Sequence, residues 1–145
     1  MVATRFAVAI HILMLLATNQ AAGEGSAPAT SLCLARSVNT NPVVVRRITR
    51  QLARAGLIWV RRGPGGAALL RPPEAISLCD VWRAVNPGCG RPLLPVHARP
   101  DPGCPVGARI GLVLGQAFGA AETALQDALG RTTLASLLGQ LAEAA

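Results

Sequence analysis

The amino-acid sequence predicts a mainly α fold with one small β-hairpin and a long C-terminal helix. Three observations predict it. Asn41 to Leu70 reads as an amphipathic helix leading into strand, tight turn and strand; two stretches upstream carry helical features; and from Pro105 to about Leu129 an apolar stripe recurs with the period of one long helix. With 145 residues, 51% of them hydrophobic, the chain suffices for one domain with a helical extension and is too apolar to be disordered.

The first element is Met1 to Thr18. Phe6, Ile10, Leu13, Met14 and Ala17 recur at helical spacing, as expected of a helix packed beneath others. The same stretch imitates a signal peptide, since Arg5 precedes the apolar run Phe6 to Ala17 and the small residues Ala21-Ala22-Gly23 follow. His11 interrupts that run, which is too short to span a bilayer, so the core helix is the preferred reading. Gly23 to Pro28 is a polar connection. Thr30 or Ser31 then caps a short helix to Ser37 that offers Leu32, Leu34 and Ala35 for burial, and Val38 to Thr40 turns into the next.

That next helix starts from an Asn41 cap with Pro42 at its first position, where a missing N–H costs nothing, and stops at Gly56. Val45, Ile48, Leu52 and Ala55 form the face expected to be buried; Arg46, Arg47, Arg50 and Arg54 form the opposite, wet one. Ile58 to Arg62, the turn Gly63-Pro64-Gly65-Gly66 and Ala67 to Arg71 make the hairpin. The net charge of +7 is unevenly spread: between Gly25 and Pro73 there is no Asp or Glu, while Arg36, Arg46, Arg47, Arg50, Arg54, Arg61, Arg62 and Arg71 all lie there. Such a field suits a polyanion. A helix with an arginine face beside a ribbon tipped by Arg61, Arg62 and glycines is what a winged helix-turn-helix needs. Its helix enters the major groove of double-stranded DNA and its wing reaches phosphates or the minor groove. The plain alternative is a solvated helix beside an ordinary hairpin.

Pro72-Pro73 marks a boundary, dividing the chain into residues 1–73, the DNA-binding domain, and 74–145, a loop and helical dimerisation region. Ser77-Leu78-Cys79-Asp80 has capping-box spacing and opens a helix to about Asn86 whose apolar face is Leu78, Val81, Trp82 and Val85. Cys79 reads as small core filler and Trp82 as core. Pro87 to Cys104 is a Pro- and Gly-rich loop holding Cys89, His97 and Cys104, and a loop of that length is read as functional. In the long helix, Gly107, Gly111, Gly115 and Gly119 recur every four residues beside Ile110, Leu114, Ala117 and Leu125. Each glycine costs a helix about 1 kcal/mol against alanine, so the row calls for a reason; a tight dimer crossing is one, and glycine-rich coding is the other. Arg109 and Gln116 argue against a bilayer. Thr133 caps a last helix, Leu134 to Leu141, expected to pack across the long one.

Asn39-Thr40-Asn41-Pro42-Val43-Val44-Val45-Arg46-Arg47-Ile48, Ala55-Gly56-Leu57, Arg62-Gly63-Pro64-Gly65-Gly66, Ile76-Ser77-Leu78 and Cys104-Pro105-Val106-Gly107 together resemble the Rrf-type family of bacterial winged-helix transcriptional regulators. That family contains the iron–sulfur regulator IscR and the nitric-oxide sensor NsrR; the similarity is closest to its YwnA-like branch and covers nearly the whole chain. The resemblance implies a cytoplasmic homodimer that binds an inverted-repeat operator as a repressor, with Asn41, Val43, Arg46, Arg47, Arg50, Arg61, Arg62, Gly63, Gly65 and Gly66 at the DNA. It also implies a sensor. Cluster-binding members carry three closely spaced cysteines before the long helix, whereas this chain has two there, Cys89 and Cys104, so an iron–sulfur cluster would have to recruit Cys33, His97 or a partner subunit. Some relatives do ligate with mixed residue types.

A thiol switch demands less. Cys104 precedes the first turn of the long helix, where the positive end of the dipole lowers a thiol pKa, and Cys89 is a candidate resolving thiol. DNA binding itself requires no cofactor. No catalytic constellation is present: Gly63 to Gly66 joins two strands and leads into no helix, so it is no phosphate loop. Two rivals belong to other classes, a secreted protein with two disulfides and a dimeric redox-relay or scaffold protein that keeps the fold without reading DNA.

Overall fold

The computed structural model describes residues 2–23, 25–63, 65–86, 88 and 91–145. Helix α1 (Val2–Ala22) lies under α2 (Ser31–Val38) and α3 (Pro42–Arg54); the antiparallel strands β1 (Ile58–Val60) and β2 (Ala67–Leu69) follow, then a 3-10 turn (Pro73–Ala75), α4 (Leu78–Val85), α5 (Gly107–Arg131) and α6 (Leu134–Glu143). The fold class is as the sequence predicts, mainly α with a small hairpin wing.

The helix ends follow their local chemistry. The Thr30 side chain accepts from the Cys33 N–H to start α2, and Asn39, at φ 58°, ends it in the left-handed region that Asn tolerates better than most residues. The Asn41 Oδ1 accepts the Val43 N–H at 2.8 Å, with Pro42 in the first turn. At the other end of α3 the Leu57 N–H donates to the Leu52 carbonyl while Gly56 takes φ +73°, closing the turn that sends the chain into β1. The capping box at α4 is reciprocal: the Ser77 hydroxyl accepts from the Asp80 N–H and the Asp80 carboxylate from the Ser77 N–H.

One apolar core joins these pieces. Ala9, Ile12, Leu13 and Leu16 of α1 meet Leu34, Ala35, Val45, Ile48, Leu52, Leu57 and Ile58, and the same cluster continues through Ile76, Val81, Val85 and Leu134. Residues beyond the Pro72-Pro73 boundary therefore share the core of those before it. Phe6 meets Trp82 edge-on at 5.1 Å between centroids, and the Arg5 guanidinium donates to the Val85 carbonyl, so α4 is fixed to α1.

Several expectations are corrected. The inner face of α1 runs through Ala9, Ile12 and Leu16, with Phe6, Ile10 and Met14 only half-buried, because α2, α3 and α4 cover it from more than one side. The helix also continues to Ala22, so Thr4–Ala22 is long and apolar enough by length and composition to cross a membrane; what marks it as a core helix is the set of fully buried side chains it supplies. Leu32 is 54% exposed, since the single turn of α2 that faces inward is already filled by Leu34 and Ala35. Ala55 is exposed and Thr49 is buried in its place, its hydroxyl donating to the Arg46 carbonyl. Finally, α6 packs on α1 and the 3-10 turn rather than across α5: backbone bonds from the Leu78 N–H to the Thr132 carbonyl and from the Leu134 N–H to the Ile76 carbonyl hold its start against the entry to α4.

Candidate nucleic-acid interface

The exposed side of α3 carries Arg46, Arg47, Arg50 and Arg54, while Val45, Ile48 and Leu52 anchor the opposite side at zero exposure. Val43, in the first turn, is 63% exposed. A rigid inner face with a free outer one is the geometry a helix needs to enter a groove, since its register is set by the core and not by its long side chains.

The wing is pinned at its base and free at its tip. Ile58 pairs with Leu69, Trp59 with Ala68 and Val60 with Ala67. The outer edge of β2 is closed by the rest of the protein: the Ala67 N–H donates to the Ala29 carbonyl at 3.2 Å and the Leu69 N–H to the Gln20 Oε1 at 2.9 Å. No ladder N–H at those two positions is left to pair with another strand. Arg61, Arg62, Gly63 and Gly65 are exposed at the tip; Pro64 lies outside the described residues. Gly66 differs from its neighbours. It is buried at φ +72°, and a Cβ there would meet the Ala29 backbone, so it seats the wing on the core and offers little surface to a ligand. A cleft of about 220 Å³ separates the wing from α2 and α3, with Thr30, Ser31, Arg46, Val60 and Arg61 among its lining.

The loop and long helix hold the sensor candidates. The turn before α5 is compact: Asp101 accepts through its side chain from the Gly103 N–H and through its carbonyl from the Cys104 N–H. Gly107 comes so close to the Asp101 backbone that any Cβ would collide, which gives this glycine an explanation within the subunit. Cys104 is exposed, and the Gly107 and Val106 N–H groups at the helix start hold its thiol below the ordinary value. Cys33 is exposed, Cys79 is buried as expected of core filler, and all three are unpaired thiols; Cys89 lies outside the described residues.

His97 is exposed on the loop. Among the described residues no three His, Cys, Asp or Glu side chains gather as a metal site would require, so Cys33, His97 and Cys104 form no ligand group with one another.

Helix α5 has no buried residue along its 25 positions. Ile110, Leu114, Phe118 and Leu129 are half-buried on the side turned to its own subunit, which packs on α4; Leu112, Val113, Ala117 and Leu125 are exposed. A Cβ at Gly111, Gly115 or Gly119 would meet nothing within 4 Å, so no contact among the described residues explains those three glycines. Phe118 continues the row of Ile110 and Leu114 at a spacing of four, a signal the sequence carries and the stripe read from it left out.

A helix-turn-helix with an arginine-faced second helix and a pinned, basic wing defines the class of winged-helix transcriptional regulators. Residues 2–140 match the model of the Rrf2 family, described as iron-dependent transcriptional regulators. The HTH-type transcriptional regulator YwnA of Bacillus subtilis (strain 168) is 38% identical over 141 residues, spanning 97% of this chain and 99% of that one. A crystal structure of a DNA-binding protein superposes with a TM-score of 0.71 at 36% identity, covering 92% and 98% of the two chains. T. potens IscR, at 20% identity, shares the fold with a TM-score of 0.69 over 97% of this chain and 87% of its own. The chain belongs to the Rrf2 family of transcriptional regulators, which are not enzymes.

Proposed function

We propose that this regulator binds an inverted-repeat operator in double-stranded DNA as a cytoplasmic homodimer and represses transcription, its occupancy set by oxidation or alkylation of Cys104. The observation that carries the reading is the acid-free stretch from Gly25 to Pro73, whose Arg46, Arg47, Arg50, Arg61 and Arg62 are all exposed on α3 and the wing. Val43, Arg46, Arg47 and Arg50 face the major groove, Asn41 begins the helix at its edge, and Arg61, Arg62, Gly63 and Gly65 make the wing contact. A C2 dimer presents two such helices to two half-sites, which is why the operator is an inverted repeat.

Dimerisation uses α5. A 25-residue helix with apolar residues exposed and three unexplained glycines is the kind of face that a second copy covers. The thiol chemistry rests on Cys104, whose exposed sulfur sits at the start of that helix.

The test is an electrophoretic shift with duplex DNA from the region upstream of the protein's own coding sequence. Retarded duplex with wild-type protein, and loss of the shift in Arg46→Ala and Arg50→Ala variants, is the expected result. Wild-type protein that leaves every such duplex unshifted at low salt sinks the reading and favours a scaffold or relay that keeps the fold.

A further inference from the structure

The outer face of the wing contains a packing arrangement that the charge count does not explain. Trp59 and Arg61 are two residues apart in an extended segment, so their side chains share a face. The Arg61 guanidinium carbon lies 5.1 Å from the centroid of the Trp59 ring. On the other side the Arg61 stem passes over Gly65: a Cβ at Gly65 would collide with the Cβ, Cγ and Cδ of Arg61. Gly65, unlike Gly63 and Gly66, is not among the glycines with positive φ, so the turn conformation does not require glycine there. The required feature is space. Arg62 has no comparable partner among the described ring contacts.

We propose that Trp59 and Gly65 are positioning residues that hold the Arg61 guanidinium ready for a DNA phosphate, and that Arg62 acts without such a holder. The inference rests on the reading of the wing as a DNA contact. An arginine on a free stem loses much side-chain freedom when it binds, whereas one laid across an indole and over a glycine has lost part of it already. A guanidinium donates its N–H groups in its own plane, so a cation–π contact with the indole does not consume the donors a phosphate needs. Trp59 is 38% exposed, more than a residue kept only for the core would be.

The test uses the full chain, a mixed-sequence DNA duplex and a salt titration. Arg61→Ala is expected to flatten the dependence of log affinity on log salt by about 0.9, the value for one phosphate neutralised. Trp59→Leu and Gly65→Ala are expected to weaken binding about two- to five-fold at fixed salt, the scale of one exposed cation–π contact, and Trp59→Leu, at a residue outside the wing contact, to add nothing in the Arg61→Ala background. Trp59→Phe, which keeps a ring, should recover part of the loss. A spectroscopic readout is independent of DNA: in the free protein the Arg61 δ-methylene protons should be shifted upfield by the indole, and Gly65→Ala should abolish that shift.

If Arg61→Ala weakens binding while Trp59→Leu and Gly65→Ala bind as wild type, the positioning role is overturned and the wing contact stands. If the wild-type protein binds no duplex at all, the DNA reading fails and this inference fails with it. An absent upfield shift in the wild-type protein also overturns it, whatever the binding shows.

Discussion

At the scale of single residues, two side chains and one glycine decide most of what can be measured. Arg62 is exposed at the wing tip, and its replacement by alanine should weaken duplex binding and lower the salt slope by about 0.9; unchanged affinity at matched salt would remove it from the interface. Cys104 is held toward its thiolate by the Gly107 and Val106 N–H groups. Because its folded pKa is depressed, the thiolate is present at lower pH in the native protein than in the denatured one. The pH midpoint of Cys104 alkylation should therefore lie lower before denaturation than after, as a mass-resolved iodoacetamide time course would report. Gly66 was legible as a turn glycine but not as an anchor. Its φ of +72° and the closeness of the Ala29 backbone arise from a segment thirty-odd positions away in the chain, and spacing alone carries no trace of that contact. Gly66→Ala should destabilise the fold by about 1–3 kcal/mol in a denaturant titration, whereas alanine at Gly111 should not.

At the scale of elements, the caps were the most legible features, because a cap is a local bargain between one side chain and one or two nearby N–H groups. Thr30, Asn41, Ser77 and Thr133 each do what their place before a helical run predicts. Which side of a helix faces inward was harder. For α3 the division is clean, with Val45, Ile48 and Leu52 fully buried and Arg46, Arg47, Arg50 and Arg54 exposed, and the periodicity shows it. For α1, covered by several partners, the apolar residues wrap most of the circumference and no one stripe stands out. Helix α5 poses the opposite case: beyond the side packed on α4, Leu112, Val113 and Leu125 form an apolar surface that no described residue covers. If its glycine row lies at a tight crossing, Gly115→Ala should raise the dimer dissociation constant in sedimentation equilibrium; if the row faces water, alanine should stabilise the helix by about 1 kcal/mol with no change in association. The crossing is the expected outcome.

At the scale of the whole molecule, the division at Pro72-Pro73 marks a change of composition, yet the core passes through it. Ile76, Val81, Val85 and Leu134 are fully buried in the same cluster as Ile12 and Leu52. The protein should consequently unfold in one transition, with Leu134→Ala lowering the stability of the entire subunit by about 2–5 kcal/mol even though the residue lies beyond the long helix. Separate melting of an N-terminal and a C-terminal part, seen by circular dichroism and by Trp82 fluorescence in a Trp59→Phe variant at different temperatures, would contradict a shared core. The backbone bonds joining Ile76 and Leu78 to Leu134 and Thr132 add a consequence for handling the protein. They fasten both ends of the excursion formed by the loop and α5, so a protease that nicks the exposed loop near His97 should leave two fragments that still elute together from a sizing column and part only in denaturant.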